Sequence, residues 1–285
     1  MPDKTARPLA EALRAATVRL ASASPTPRLD AELLMADALD RSREDMLLRL
    51  PDLNVPEEFA ALLDRRANGE PIAYILGRQD FWDLTLDVTP DVLIPRPDSE
   101  TLIEAARDRF AESPPRRIAD LGTGSGALLL AALRVFPQAH GVGIDASASA
   151  LAVARGNADK CDLAARATFA QADWHRAGWA GALAGPVDLI LCNPPYVETG
   201  AALPQSVRSF EPHSALFAGA EGLDDYAVLI PAFPALLAPG GIAILEIGHE
   251  QADAVSALAA AHGFETDLRR DLAGKPRALV LSPQS

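Results

Sequence analysis

The residues with the most chemistry in this 285-residue chain are Asn193-Pro194-Pro195-Tyr196, directly after the aliphatic run Val187-Asp188-Leu189-Ile190-Leu191-Cys192. The run reads as a buried strand, and it stops abruptly at a polar amide. Neither proline has an N–H, and Pro194 keeps Asn193 out of the α region. The Asn193 side chain and the neighbouring carbonyls thus form an acceptor cluster suited to gripping a planar NH2 group. Asn193, Pro194, Pro195 and Tyr196 are the candidate catalytic and acceptor-binding residues.

A second constellation lies upstream, where Asp120-Leu121-Gly122-Thr123-Gly124-Ser125-Gly126 joins a strand pattern to a helix pattern. Glycines there permit positive φ and let backbone approach a ligand at a helix N-terminus. Gly122, Gly124 and Ala127 also satisfy a G-x-G-x-x-A dinucleotide fingerprint, and Asp145 falls where a ribose-binding acid belongs in either case. Asp120 tips the balance, because it puts a carboxylate where a pyrophosphate wants none. It suits a ligand with a cationic amino-acid portion and no phosphate, such as S-adenosylmethionine. Asp145, ending the next strand, can accept from two ribose hydroxyls. Asp173-Trp174, after the third, offers an acid for an adenine amine and an indole for the ring. Alone, Asp145 reads first as a helix cap and Trp174 as a core or surface aromatic; suitable groups at three successive strand ends favour the ligand. Asp120, Gly122, Thr123, Gly124, Ser125, Gly126, Asp145, Asp173, Trp174 and Asn193 are therefore the candidate cofactor residues. Arg96, held between Pro95 and Pro97, is a candidate for lining the acceptor site, against a plain reading as a solvated loop charge.

These groups need a scaffold that brings strand ends together. From Arg117 onward the patterns alternate: strands near 118–121, 141–144, 167–171, 187–192 and 242–247, helices near 127–136, 149–158, 226–237 and 251–261, then short strands near 265–268 and 277–281. Such alternation predicts an α/β fold with a mostly parallel sheet covered on both faces, whose ligands bind beyond the carboxyl ends of the strands. Residues 1–70 instead read as a small helical domain of about four helices, with Leu29 and Leu33, and Phe59, Leu62 and Leu63, at helical spacing. Pro27, Ser42 before Asp45, and Pro56 before Glu57 and Glu58 are start signals, and Gly69 is a stop signal. Leu84, Leu86 and Val88 alternate against Asp83, Thr85 and Asp87, so residues 71–98 form a hairpin-like connector. Asp98 or Ser99 is expected to cap the helix that follows. Residues 99–285 make up the catalytic domain.

A net charge of −13 argues against a broad grip on nucleic-acid phosphates. Cys161 and Cys192 offer neither a disulfide framework nor a metal-ligand spacing, and no metal is expected. Glu11, Arg14 and Arg19 interrupt any secretory apolar core, and prolines and Gly240-Gly241 break the uncharged run Tyr226–Leu245, so a cytoplasmic protein without membrane insertion is expected.

Across nearly its whole length the sequence resembles the class I (Rossmann-like) S-adenosylmethionine-dependent methyltransferases, and within them the PrmC/HemK family of protein-glutamine methyltransferases. The resemblance is carried by Gly69-Glu70-Pro71 through Tyr74-Ile75-Leu76-Gly77, Leu93-Ile94-Pro95-Arg96-Pro97-Asp98-Ser99-Glu100, the loop 120–126, Asp173-Trp174, Asn193-Pro194-Pro195-Tyr196, and Glu211-Pro212 with Ala215-Leu216. It implies a seven-stranded sheet with a reversed hairpin at one edge, and a helical domain that helps recognise peptide chain release factors. The implied acceptor is the side-chain amide nitrogen, N5, of the glutamine in a Gly-Gly-Gln loop. A monomer is expected. The alternatives are a glutamine of a ribosomal protein, an exocyclic amine of a nucleic-acid base, and a non-catalytic nucleotide-binding module. An NAD-dependent dehydrogenase rests on the glycine pattern alone, with no group to place for hydride transfer.

Overall fold

The computed structural model describes residues 9–284 of the chain. It divides into two compact units, one made of residues up to Gly77 together with Leu203–Phe210, the other of Arg78–Ala202 and Glu211 onward.

The first unit is built from α1 (Leu9–Leu20), α2 (Pro27–Ala38), α3 (Arg43–Leu48), α4 (Glu58–Ala67) and α5 (Ile72–Leu76). The start and stop signals act where their chemistry places them. Pro27 opens α2, the Ser42 hydroxyl accepts from Asp45 N–H at 3.1 Å, and Gly69 takes φ +92° beyond α4. Two details differ from the pattern. The short α5 follows Pro71 where a connector was expected, and the core face of α2 carries Ala31, Leu34 and Met35 while Leu29 is exposed. The phase is turned because Asp30 is an interior residue, accepting from Arg66 Nε at 2.6 Å. Breaking such a pair from one side leaves a buried charge uncompensated.

In the second unit β1 (Arg78–Phe81) and β2 (Leu84–Asp87) form an antiparallel hairpin in which Leu84 and Leu86 are buried and Asp83, Thr85 and Asp87 exposed. Then come α6 (Glu100–Arg109), β3 (Arg117–Leu121), α7 (Ala127–Val135), β4 (His140–Asp145), α8 (Ala148–Lys160), β5 (Ala167–Gln171) and β6 (Val187–Cys192). Helix α9 (Gln205–Phe210) is the segment that belongs with the first unit, where Phe210 lies beside Gly69. The chain returns through α10 (Asp224–Leu229), α11 (Phe233–Leu236), β7 (Leu237–Glu246), α12 (Ala252–Ala261), β8 (Phe264–Arg270) and β9 (Pro276–Pro283). The expected single helix over 226–237 is divided by a 3₁₀ turn at Ile230–Ala232, because Pro231 and Pro234 each remove an N–H.

Seven strands form one sheet in the order β5-β4-β3-β6-β7-β9-β8, parallel from β5 to β7, with β9 antiparallel to both neighbours. Strand β6 shows why its run is apolar throughout. Leu189 and Leu191 face a core with α6 and α7, while Ile190 and Cys192 face the core of α10, α11 and α12. Strand order reverses between β3 and β6, where Leu121 pairs with Cys192. The next residues are Gly122 and Asn193, so the topology alone brings the glycine loop and the acceptor tetrapeptide side by side. Among the described residues no helix is long and apolar enough to cross a membrane.

Candidate active site

At this reversal the carboxyl ends of β3, β4, β5 and β6 open into a cavity of about 720 Å³ within the second unit. Gly122, Thr123, Gly124, Ser125, Asp145, Asp173, Trp174, Asn193, Pro195 and Arg96 line it. The walls also carry Asp91 and Asp225, so carboxylates dominate, and the Arg96 guanidinium is paired with the buried Glu211 carboxylate.

The glycine loop is held by its own amides. Gly122 N–H and Thr123 N–H both donate to Ile144 O at 2.9 Å, Gly124 N–H to Asp145 Oδ2 at 2.9 Å, and Gly126 N–H to Thr123 O at 2.7 Å. Those donors are spent within the protein, whereas a pyrophosphate needs loop N–H groups aimed at it. Gly122, Gly124 and Gly126 all have positive φ, and a Cβ on Gly122 would lie 3.1 Å from the Trp174 ring. The indole therefore packs directly over the loop backbone, and its Nε1–H donates to Asp225 Oδ1 at 2.6 Å. His175 Nε2 lies 2.9 Å from the same oxygen.

Asp120 does not line the cavity. It is 1% exposed beneath the loop, where Oδ2 accepts from Thr123 Oγ1 at 2.6 Å and Leu129 N–H at 3.3 Å. Oδ1 is buried without a partner, and burial pushes the carboxyl up to about 7. An orphaned buried oxygen under a loop that carries no cation of its own suits a positively charged group above it. Burial also raises Asp145, against the lowering effect of N–H bonds from Ser147 and Gly124. The cap of α8 is Ser147, accepting from Ala150 N–H at 3.2 Å, so Asp145 remains at the cavity edge. Asp173 sits below the ordinary carboxylate range, held first by His175 N–H and then by Arg176. Positive-φ loop, acidic wall, orphaned carboxylate and overlying indole together fit a cationic adenosyl ligand.

Asn193 closes the other side. Its Nδ2 donates to Ser99 Oγ at 3.3 Å. Ser99 in turn donates to Glu246 Oε2, and Tyr196 OH donates to Glu246 Oε1 at 3.1 Å. Because the single Ser99 proton goes to the carboxylate, Ser99 offers only lone pairs to Asn193, and the amide must present its NH2 end. Asn193 Oδ1 is thereby left as the end available to a ligand. Gln251 Nε2 donates to Tyr196 O at 3.1 Å and fixes the chain beyond the tetrapeptide. Pro194 follows Asn193 without lining the cavity, while Pro195 does line it.

The expected helix cap at Asp98 or Ser99 is not formed. Ser99 serves Glu246, and Asp98 Oδ2 pairs with Arg277 at 2.9 Å. Glu246, Asp225 and Asn157 are site-building residues that motif reading missed, while Ser99 and Glu211 stand in the quoted motifs without the roles they take here, bonding Glu246 and pairing Arg96. Asn157 is fully buried and clamps the loop to the hairpin, donating to Ser125 O at 2.9 Å and Asp87 O at 3.0 Å and accepting from Asp87 N–H at 2.7 Å. Of the three missed, Glu246 left a signal, a lone acid in the apolar run Ile242–Ile247.

Residues 11–77 match the family described as PrmC N-terminal domain, and residues 113–260 the one described as Methyltransferase domain. The chain is 44% identical over 260 residues to the release factor glutamine methyltransferase of Rhodospirillum rubrum, covering 89% of this chain and 78% of the relative. It is 42% identical over 281 residues to that of Moorella thermoacetica, covering 95% and 97%. A crystal structure of a methyltransferase from Pyrococcus furiosus shares the fold at 16% identity, with a TM-score of 0.54 over 71% of this chain and 90% of that one.

Proposed function

The chain belongs to the release factor glutamine methyltransferase family, and from that premise we propose that its cavity methylates the side-chain amide nitrogen of the glutamine in a release factor's Gly-Gly-Gln loop. S-adenosylmethionine is the methyl donor and, when bound, supplies an electrophilic methyl group on a sulfonium. The glycine loop 122–126, Asp145, Asp173 and Trp174 are the residues to hold it, with Asp120 bracing the loop from below.

An amide nitrogen is a poor nucleophile because its lone pair is delocalised into the carbonyl. Asn193 Oδ1 and the Pro194 carbonyl accept the two N–H bonds of the glutamine amide, orient it for attack, and stabilise the positive charge that grows on nitrogen. Pro195 and Tyr196 flank the flat group and exclude water. No base is needed beforehand: the nitrogen becomes more acidic once methylated and then releases one proton to solvent. The observation that carries this reading is the commitment of the Asn193 NH2 end to Ser99, which leaves an acceptor oxygen beside the cofactor loop.

Arg96, steadied by Glu211 on the cavity wall, is positioned to contact the incoming loop of the substrate. The N-terminal helical domain supplies further recognition of the release factor. The enzyme acts as a cytoplasmic monomer and holds no nucleic acid stably, in keeping with its charge of −13 and its substrate in translation. Labelled methyl transfer to a purified release factor tests the function. Label should appear on the natural protein and vanish when the Gly-Gly-Gln glutamine is replaced by alanine; label that persists refutes the acceptor.

A further inference from the structure

Glu246 ends β7 with the only charge in Ile242-Ala243-Ile244-Leu245-Glu246-Ile247, and its side chain is almost fully buried. A charge so placed is costly unless well bonded. Among the described residues, the side-chain hydrogen bonds to this carboxylate come from the acceptor machinery or directly behind it, from Ser99 Oγ and Tyr196 OH, while Tyr226 OH donates to its main-chain oxygen at 2.7 Å. The hydrogen-bond chain has one polarity. Asn193 N–H donates to Ser99, Ser99 O–H donates to Glu246, and Tyr196 O–H donates to Glu246 from the other side.

We propose that Glu246, acting through Ser99, is a positioning residue for methyl transfer: its negative charge fixes the direction of the chain and strengthens Asn193 Oδ1 as an acceptor. This rests on the function proposed above and adds a group that does not touch the substrate. An amide that donates its N–H to an anion-backed hydroxyl shifts electron density onto its carbonyl oxygen, and bonds in such a chain strengthen one another. The benefit is greatest when the acceptor nitrogen carries positive charge, so it lowers the barrier more than it tightens substrate binding. Were Glu246 neutral, Ser99 would be free to turn its proton toward Asn193 and the amide to flip.

The groups facing the carboxylate are Arg277 from β9, Asp98 beside Ser99, Tyr196 and Cys192 from the end of β6, and Tyr226 from α10. Burial raises the Glu246 carboxyl from its ordinary range, and the Ser99 hydrogen bond first, then Arg277 and the Tyr196 hydrogen bond, oppose that rise. The wild-type kcat should therefore fall on the acid side as Glu246 takes up a proton.

Glu246→Gln keeps the volume and can still accept from Ser99 and bond Tyr196, but removes the charge. The expected result is a kcat lower by about 10–100-fold, taking as a guide the loss seen when the hydrogen-bond partner behind a metal-binding side chain is removed. KM for the release factor, S-adenosylmethionine affinity and melting temperature should change little, and the acid limb of the kcat profile should disappear. Ser99→Ala cuts the chain without touching the other Glu246 bonds and should lose a similar factor, most of it regained in Ser99→Thr. The double variant should be no slower than the worse single one, because both cut the same chain. A kcat at the wild-type value in Glu246→Gln, or in Ser99→Ala should Glu246→Gln not fold, overturns the proposal. The wild type is the internal reference: if it labels no glutamine, the acceptor assignment falls and this inference with it, whereas an active wild type matched by Glu246→Gln overturns this inference alone.

Discussion

Replacing Asn193 by alanine should separate chemistry from folding. The side chain is half-buried and donates one hydrogen bond within the protein, to Ser99 Oγ at 3.3 Å. Losing a neutral bond of this kind costs about 0.5–1.5 kcal/mol of stability. For a chain of this size that lowers the melting temperature by roughly 1–6 °C. The catalytic cost is larger, because the lost oxygen faces the nitrogen on which charge develops. Removing one preorganised polar contact to such a charge typically costs about 10²–10³ in kcat, or ~3–4 kcal/mol of barrier. Initial rates of labelled methyl transfer to a release factor should fall by that factor, with a cooperative melt and calorimetric S-adenosylmethionine binding retained. An Asn193→Ala enzyme turning over near the wild-type rate would refute the acceptor role, and one that lost its fold would refute the placement of Asn193 at the cavity edge.

Three further perturbations address the cofactor side. Asp145→Ala should weaken S-adenosylmethionine binding by about 10–100-fold, corresponding to a charge-assisted bond of ~1.5–3 kcal/mol; an unchanged calorimetric affinity would sink the ribose assignment. Gly122→Ala places a Cβ 3.1 Å from the Trp174 ring at φ +73°. It should cost about 1–2 kcal/mol from the left-handed backbone alone, displace the indole and weaken cofactor binding; an unaltered tryptophan fluorescence with unaltered affinity would contradict this. Asp120 is raised to about 7 in the fold, against about 3.9 in an unfolded chain. Its ionisation therefore disfavours the cofactor-free fold. The stability it confers when protonated is fully present below the unfolded value and is lost as pH rises through about 7, by up to about 4 kcal/mol. Denaturant unfolding at pH 4 and pH 8 should show a smaller fall in Asp120→Asn than in the wild type, and equal falls would contradict the assignment.

The sheet was legible because its strands are buried on both faces and read as apolar runs with turn signals between them. The crevice was legible because Gly122, Asp173 and Asn193 stand one or two steps beyond a strand and Asp145 ends one, where topology gathers ligands. What escaped prediction was set by long-range partners. Ser99 looks like a helix cap locally, but its hydroxyl is claimed by Glu246, 147 residues away in sequence. Asp120 was expected to meet the ligand, and burial of the strand end puts it beneath the loop. Leu29 has the right spacing for a core position, yet the Asp30–Arg66 pair turns that helix. Helix α9 carries no mark in its sequence that it belongs with the N-terminal helices rather than with the sheet that flanks it.

Mass spectrometry of a methylated substrate identifies the acceptor atom. Purified enzyme, S-adenosylmethionine and a release factor should yield one added methyl group on the side-chain nitrogen of the glutamine in the Gly-Gly-Gln loop. Methylation at any other residue, or at no residue with cofactor binding intact, would contradict it.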